Sequence, residues 1–177
     1  MHRVLITTAL LLPTTAFAVG GGDSTAPTQT ETTTTCTNGT VWSDTKKECV
    51  APESGALEDD ELYQAARELA YAGHYPETLA TLAAMSDPAD DRVLTYKGFV
   101  HRKMGDVDLG NAYYRQAIAR NPNNFLARSY MGQGFAEAGD LVAARAQLTE
   151  IRSRGGRNTW AEFSLRQAIE TGTGYSY

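Results

Sequence analysis

The sequence predicts an all-α domain built from stacked helix pairs. The glycine pair Gly98 and Gly105 returns as Gly132 and Gly139, with both glycines shifted by the same number of positions. A repeat of about 34 residues accommodates one helix, a turn and a second helix. Apolar residues also recur at the spacing of a single helix face, as in Leu62, Ala65, Ala66 and Leu69. Because one helix pair leaves a face unburied, we expect the pairs to stack on one another.

Residues 1–18 have the pattern of a secretory signal peptide. A short basic start precedes an apolar run from Val4 to Leu12, and Ala16 to Ala18 form a small-residue cleavage site. The apolar run is much shorter than the roughly 20 residues of a membrane-spanning helix. We therefore expect residues 1–18 to be removed and the chain to be exported. A bacterial periplasm is the favoured compartment, and secretion beyond it stays open.

The net negative charge of the chain disfavours partners that are themselves negatively charged. The 177-residue chain has a formal net charge of −5, which becomes −6 when Arg3 leaves with the signal peptide. Nucleic acids and anionic membrane surfaces both select basic patches. We therefore expect no nucleic-acid partner and no binding to an anionic membrane surface. No later stretch is long and apolar enough to span a membrane, so we also expect no stable membrane insertion.

A threonine-rich segment follows the signal peptide. Residues 19–35 form a linker in this interpretation, and seven of the thirteen residues from Asp23 to Thr35 are threonine. Such a segment has too little apolar surface to offset its ordering entropy, so we expect a flexible spacer. Threonines carrying attached sugars are the alternative.

Residues 36–50 predict a small disulfide-closed module. Cys36 and Cys49 are the only two cysteines, and an exported chain favours a disulfide between them. Asn38-Gly39 suits the type I′ turn of a β-hairpin. Trp42 either covers the disulfide, docks on the helices or stays exposed for a partner. Residues 51–58 form a second linker.

The helical domain occupies residues 59–177. Four acidic residues, Glu58 to Glu61, surround its start, where carboxylates favour the positive end of the helix dipole without any metal. Gly73 ends the first helix, and Pro76 opens a second one that we expect to reach Ser86.

The helix pairs share a set of residue types at matching positions. These are Leu62, Ala66, Leu69, Gly73 and Tyr75; then Leu94, Gly98, Gly105, Tyr114, Ala117 and Pro122; then Gly132, Phe135, Gly139, Ala144 and Leu148. The set resembles the tetratricopeptide repeat, whose copies are about 34 residues long. The resemblance implies repeats at about 59–90, 91–124 and 125–157, closed by a capping helix at about 159–171. The first repeat departs from the pattern, because Gly73 lies closer to Gly105 than Gly105 lies to Gly139. Thr159 and Glu162 suit a capping box for the last helix.

The resemblance also implies a concave groove that binds a protein or peptide partner. Carried over to this sequence, the groove residues are Tyr63, Arg67, Tyr71, Arg92, Thr95, Phe99, Arg102, Lys103, Ser129 and Gln133. Aromatic rings beside guanidinium groups suit an extended peptide, because rings give contact area and guanidinium groups bind carboxylates. The alternative is that these are solvated helix positions.

Enzymatic motifs do not stand out in the sequence. We find no nucleophile elbow, no glycine-rich phosphate loop and no paired-histidine motif, so we expect no catalytic residues, no metal and no cofactor. His101 is interpreted as a partly buried imidazole, with a ligand or pH-sensing role as the alternative. The predicted function is a non-enzymatic interaction or scaffold module of the bacterial cell envelope. A structural protein that self-associates into a homo-oligomer is the competing interpretation.

Overall fold

A computed structural model of the protein describes residues 25–175. The expected signal peptide, residues 1–18, lies outside the described residues, as do the first residues of the threonine-rich segment. The elements are α1 (Glu31–Thr34), β1 (Val41–Ser43), β2 (Glu48–Val50), α2 (Asp59–Tyr71), α3 (Tyr75–Ala83), α4 (Asp91–Lys103), α5 (Val107–Arg120), α6 (Phe125–Glu137), α7 (Leu141–Ser153) and α8 (Trp160–Thr171). The helical fold, the short hairpin and the Cys36–Cys49 disulfide are thereby confirmed.

The long helices pack in consecutive pairs. Helix α2 packs on α3, α4 on α5 and α6 on α7, while α8 packs on α6. Gly73, Gly105 and Gly139 adopt φ values of 82°, 94° and 81° between the helices of each pair. This left-handed conformation suits glycine, and it lets the next residue donate to a carbonyl of the preceding helix turn. The three hydrogen bonds run from His74 N to Leu69 O at 2.9 Å, from Asp106 N to His101 O at 2.8 Å and from Asp140 N to Phe135 O at 2.8 Å.

Small residues allow close crossings between the helices. A Cβ added at Gly98 would lie 2.7 Å from the Tyr114 ring and 3.0 Å from the carbonyl oxygen of Gly110. One added at Gly132 would lie 2.8 Å from Leu165. The first crossing joins α4 to α5 and the second joins α6 to α8. These glycines therefore set how closely the helices approach.

Two helix ends differ from the sequence prediction. Helix α3 ends at Ala83 rather than Ser86. Ser86 lies beyond the helix and donates to Asp59 from its main-chain N–H, at 2.9 Å, and from its hydroxyl. At α8, Thr159 caps the helix by accepting from the main-chain N–H of Glu162 at 3.3 Å. The Glu162 carboxylate reaches Asn158 N at 2.7 Å instead of Thr159 N, so the predicted reciprocal capping box is wrong.

The hairpin turn lies elsewhere than predicted. Asn38 and Gly39 do adopt the positive φ values of a tight turn, 56° and 74°. However, β1 and β2 pair antiparallel with Val41 opposite Val50, so the residues between Ser43 and Glu48 connect them. Asn38-Gly39 instead turns the chain from Cys36 into β1. The disulfide joins the two ends of the module with a Cα–Cα distance of 5.6 Å.

The threonine segment is seated on α2, where the sequence predicted a flexible spacer. The buried Glu68 carboxylate accepts from Thr30 N at 2.7 Å, from the Thr30 hydroxyl at 2.6 Å and from Thr33 N at 3.1 Å. It also accepts from the Thr33 hydroxyl. These bonds fix α1 against the helical domain, because a buried carboxylate must be hydrogen-bonded. Within residues 25–175, no helix is both long enough and apolar enough to cross a membrane.

Candidate functional site

The predicted groove residues lie mostly inside the protein. Eight of the ten are at most 5% exposed: Tyr63, Arg67, Tyr71, Thr95, Phe99, Arg102, Ser129 and Gln133. Arg92 and Lys103 are partly exposed. The structure thus brings these side chains to one region, on α2, α4 and α6, but covers them with other parts of the chain.

The centre of this region is a cluster of aromatic rings. Tyr71 stacks on Phe99 with ring centroids 5.4 Å apart, and Tyr130 meets Phe99 edge-on at 5.0 Å. The Tyr130 hydroxyl lies 2.8 Å from that of Tyr71 and 3.0 Å from that of Tyr96. Burial raises the pKa of Tyr71 and of Tyr130, so these phenols stay neutral. We call Tyr71, Phe99 and Tyr130, together with Gln133 and Glu137 on the next turns of α6, the inner face.

Trp160 connects the last helix to the first long helix across the inner face. Its indole N–H donates to the Tyr71 hydroxyl at 3.1 Å, although 89 residues separate the two in sequence. The Trp160 side chain is buried. The contact with Tyr71 was not foreseen, since no local pattern relates the two residues.

The chain's own C-terminal tail, residues 172–175, lies on the inner face. Gly172 ends α8 in a left-handed conformation, with φ of 76°, and turns the chain back. The main-chain N–H of Gly174 donates to Glu137 Oε1 at 2.9 Å, and that of Tyr175 to Gln133 Oε1 at 3.3 Å. These contacts give the inner face an occupant, a short peptide segment held through its backbone.

The ring of Tyr175 also holds the tail on the inner face. It meets Trp160 edge-on, with ring centroids 4.6 Å apart and planes at 88°, and lies 5.9 Å from the ring of Tyr71. Such pairs stabilise by about 0.5–1.5 kcal/mol beyond the area they bury. Sequence reasoning assigned no role to this residue, and the tail has no helical or strand pattern that would reveal one.

Glu137 is held by two cations at the edge of the inner face. Arg102 Nη1 forms an ion pair with Glu137 Oε2, and Lys103 Nζ lies 3.7 Å from Oε1. Burial opposes the charge of Arg102, but Tyr114 and Glu137 together raise its pKa above the ordinary value. Burial, together with the nearby Arg102, lowers the pKa of Lys103. Arg102 Nη2 is buried and has no hydrogen-bond partner within the described part of the chain.

The other predicted groove residues connect elements of the fold. Arg67 Nη2 donates to the carbonyl oxygen of Thr25. Arg92 pairs with Asp60 at 2.6 Å and lies over the Tyr63 ring, 4.9 Å from its centroid. Hydrogen bonds hold Thr95 to Asn124 at 2.9 Å and Ser129 to Ser164 at 3.1 Å. Contacts within the chain therefore provide partners for these polar side chains.

A pocket of about 790 Å³ is lined by the threonine segment, the hairpin and α2. Its lining includes Trp42 and several carboxylates, among them Asp60, Glu61 and Glu68. Each of these carboxylates already has a partner: Arg92 for Asp60, Glu58 N for Glu61 and the threonines for Glu68. Across residues 25–175 no group of three metal-binding side chains could hold a metal ion.

His101, the histidine singled out in the sequence, stacks on the ring of Tyr113, with ring centroids 5.5 Å apart.

Known proteins assign this chain to no family. No protein-family model matches it, and no curated protein or solved structure is significantly similar to it.

Proposed function

We propose that the protein is a tetratricopeptide-type interaction module of the cell envelope. It has no catalytic role and holds an extended segment of a partner protein on its inner face. The observation that carries this proposal is the C-terminal tail, whose consecutive N–H groups bond to Gln133 and Glu137. A surface that binds a peptide segment of its own chain has the chemistry to bind one of another protein.

The inner face combines the two features that peptide recognition requires. Side-chain oxygens on α6 accept hydrogen bonds from the peptide backbone, which every peptide offers. Aromatic rings of Tyr71 and Trp160 supply rigid contact area at low entropy cost. Backbone contacts give affinity, and the ring contacts give selectivity.

Two features support a repeat of the tetratricopeptide type. The glycines that end the first helix of each pair, Gly73, Gly105 and Gly139, recur at nearly equal spacing and have left-handed φ values. Glycines also lie at the crossings of α4 with α5 and of α6 with α8. Close crossings of this kind let helix pairs stack into an extended array.

Export through a signal peptide completes the proposal. The Cys36–Cys49 disulfide is compatible with an oxidising compartment such as the periplasm. The seated threonine segment and the hairpin would then be the first structured parts of the mature chain.

The proposal is tested by releasing the C-terminal tail from the inner face and measuring which peptides then bind there. We expect the full chain with Gly174→Ala to release the tail, because a Cβ there overlaps the Glu137 carboxylate. This variant is screened against a displayed library of random peptides, with Thr173→Ala as the matched control that retains the fit at Gly174. We expect bound peptides to shift the amide NMR signals of Gln133 and Glu137.

Two results would contradict the proposal. One is a released inner face that selects no peptide; the other is a set of peptides whose signals map only to distant helices. Light scattering over a dilution series addresses the competing homo-oligomer. A dimer that persists at every concentration, whether or not the tail is docked, would favour self-association instead.

A further inference from the structure

We propose that the inner face selects a glycine followed by an aromatic residue in the partner segment, and that the C-terminal tail competes for the same seat. This inference rests on the proposed function and specifies its ligand. Gly174 and Tyr175 are the occupants from which the selectivity is deduced.

Close approach makes the first position specific for glycine. A Cβ at Gly174 would overlap Glu137 Oε1 and lie 3.1 Å from Gln133 Oε1. Glu137 is restrained from swinging aside, because it neutralises Arg102, which is only 5% exposed. Uncoupling a buried cation from its partner is strongly unfavourable. A residue larger than glycine therefore weakens either this ion pair, by displacing the Glu137 carboxylate, or the main-chain hydrogen bond to Glu137.

The second position of the peptide favours a residue that has an aromatic side chain and a free main-chain N–H. The ring of Tyr175 contacts Trp160 edge-on at 4.6 Å, and Trp160 is itself fixed by its hydrogen bond to Tyr71. The N–H of Tyr175 donates to Gln133, which proline could not do. An aliphatic side chain would lose the edge-to-face contact, and proline would lose the hydrogen bond.

Covalent attachment makes the tail an efficient competitor. Gly172 ends α8 immediately before the tail, so the tail samples a small volume around its seat. Short tethers produce effective concentrations in the millimolar range. The tail meets the inner face through the main-chain N–H groups of Gly174 and Tyr175 and through the Tyr175 ring, so a partner segment that adds contacts to these can displace it.

The experiment measures binding of the tail sequence supplied as a free peptide. A labelled peptide with the sequence of residues 171–177 is titrated by fluorescence anisotropy into the full chain and into the full chain with Gly174→Ala. We expect binding to the variant to be at least about tenfold tighter, because the variant's own tail no longer competes. Thr173→Ala should behave as the wild type.

Altered peptides test the selectivity without disturbing the fold. Alanine at the position of Gly174 should weaken binding to the Gly174→Ala protein by at least about tenfold, the scale of one charge-assisted hydrogen bond. Alanine at the position of Tyr175 should weaken it by about tenfold as well, because the ring contacts with Trp160 and Tyr71 are lost. Peptides with both alanines serve as the negative control. Equal binding of the original and the alanine peptides overturns the inference.

A second readout reports release of the tail directly. With Trp42→Phe in all chains, Trp160 is the only tryptophan of the mature protein. Gly174→Ala should then shift the emission of Trp160 to longer wavelength, because Tyr175 no longer covers it. Unchanged emission means that the seat accepts a larger residue and overturns the glycine selectivity.

The remaining outcomes separate this inference from the proposed function. If library peptides without a glycine-aromatic pair occupy the inner face, the inference fails and the proposed function stands. Failure of every peptide to bind the released inner face removes both. A wild-type dimer that grows with concentration and is lost in Gly174→Ala overturns the inference, since a second copy of the chain would then be the occupant.

Discussion

Gly98 shows how a single residue sets the distance between two helices. Its missing side chain lets the Tyr114 ring and the Gly110 carbonyl approach α4. Tyr114 is completely buried, so its ring has no free space into which it can withdraw.

We expect Gly98→Leu to lower the free energy of unfolding by at least about 1–3 kcal/mol, the range for overpacking a close contact. Urea denaturation followed by circular dichroism measures the change. Ala119→Leu, at an exposed position of α5, is the control and should stay within about 0.5 kcal/mol of the wild type. Equal stability of both variants would mean that the crossing is looser than the structure shows.

At the scale of elements, an ion pair fixes the junction between α7 and α8. The Glu162 carboxylate accepts from Arg152 Nε at 2.6 Å and from Asn158 N at 2.7 Å. These two hydrogen bonds, that from Arg152 first, lower the pKa of Glu162. A depressed carboxyl pKa in the folded state stabilises the fold at neutral pH. That stabilisation is lost as the pH falls through the folded-state pKa.

Glu162→Gln should therefore destabilise the protein at pH 7 by about 0.5–1 kcal/mol, the usual range for a partly exposed ion pair. The difference from the wild type should shrink below about pH 4, where the wild-type carboxylate becomes protonated. Urea denaturation at several pH values measures both. Glu170→Gln, on the exposed side of α8, is the control. A difference that is independent of pH would exclude the charge as its cause.

At the scale of the whole molecule, Trp160 links the last helix to the first long helix. In an open array each helix pair contacts only its neighbours. Here the hydrogen bond from Trp160 to Tyr71 joins α8 to α2, and the rings of Tyr175 and Tyr71 add to this contact. The two ends of the array therefore stabilise each other.

We expect Trp160→Ala to reduce stability by about 3 kcal/mol, as for large aromatic truncations, and to speed hydrogen exchange in α8 and at the carboxyl end of α2. Exchange measured by NMR or mass spectrometry locates the change. Phe163→Ala is the matched control, because Phe163 is 47% exposed on the same helix. Faster exchange confined to α8 would show that the two ends are not coupled.

Local signals in the sequence determined the helices, their glycine stops and the disulfide. The helix stops depend only on the left-handed backbone conformation of Gly73, Gly105 and Gly139. The disulfide could be predicted because Cys36 has only Cys49 as a possible partner. Apolar periodicity likewise depends on neighbours within two helix turns. For these features the sequence and the structure agree.

Only the tertiary structure decided what covers the predicted groove. Thr30 reaches Glu68 across 38 residues, Tyr175 reaches Gln133 across 42 and Trp160 reaches Tyr71 across 89. The helical periodicity of the sequence does not extend over such separations. The residue type alone also does not show whether a groove position is exposed to solvent or covered by another part of the chain. Local patterns therefore determine the helices that carry the inner face, whereas long-range packing places the chain's own tail on it.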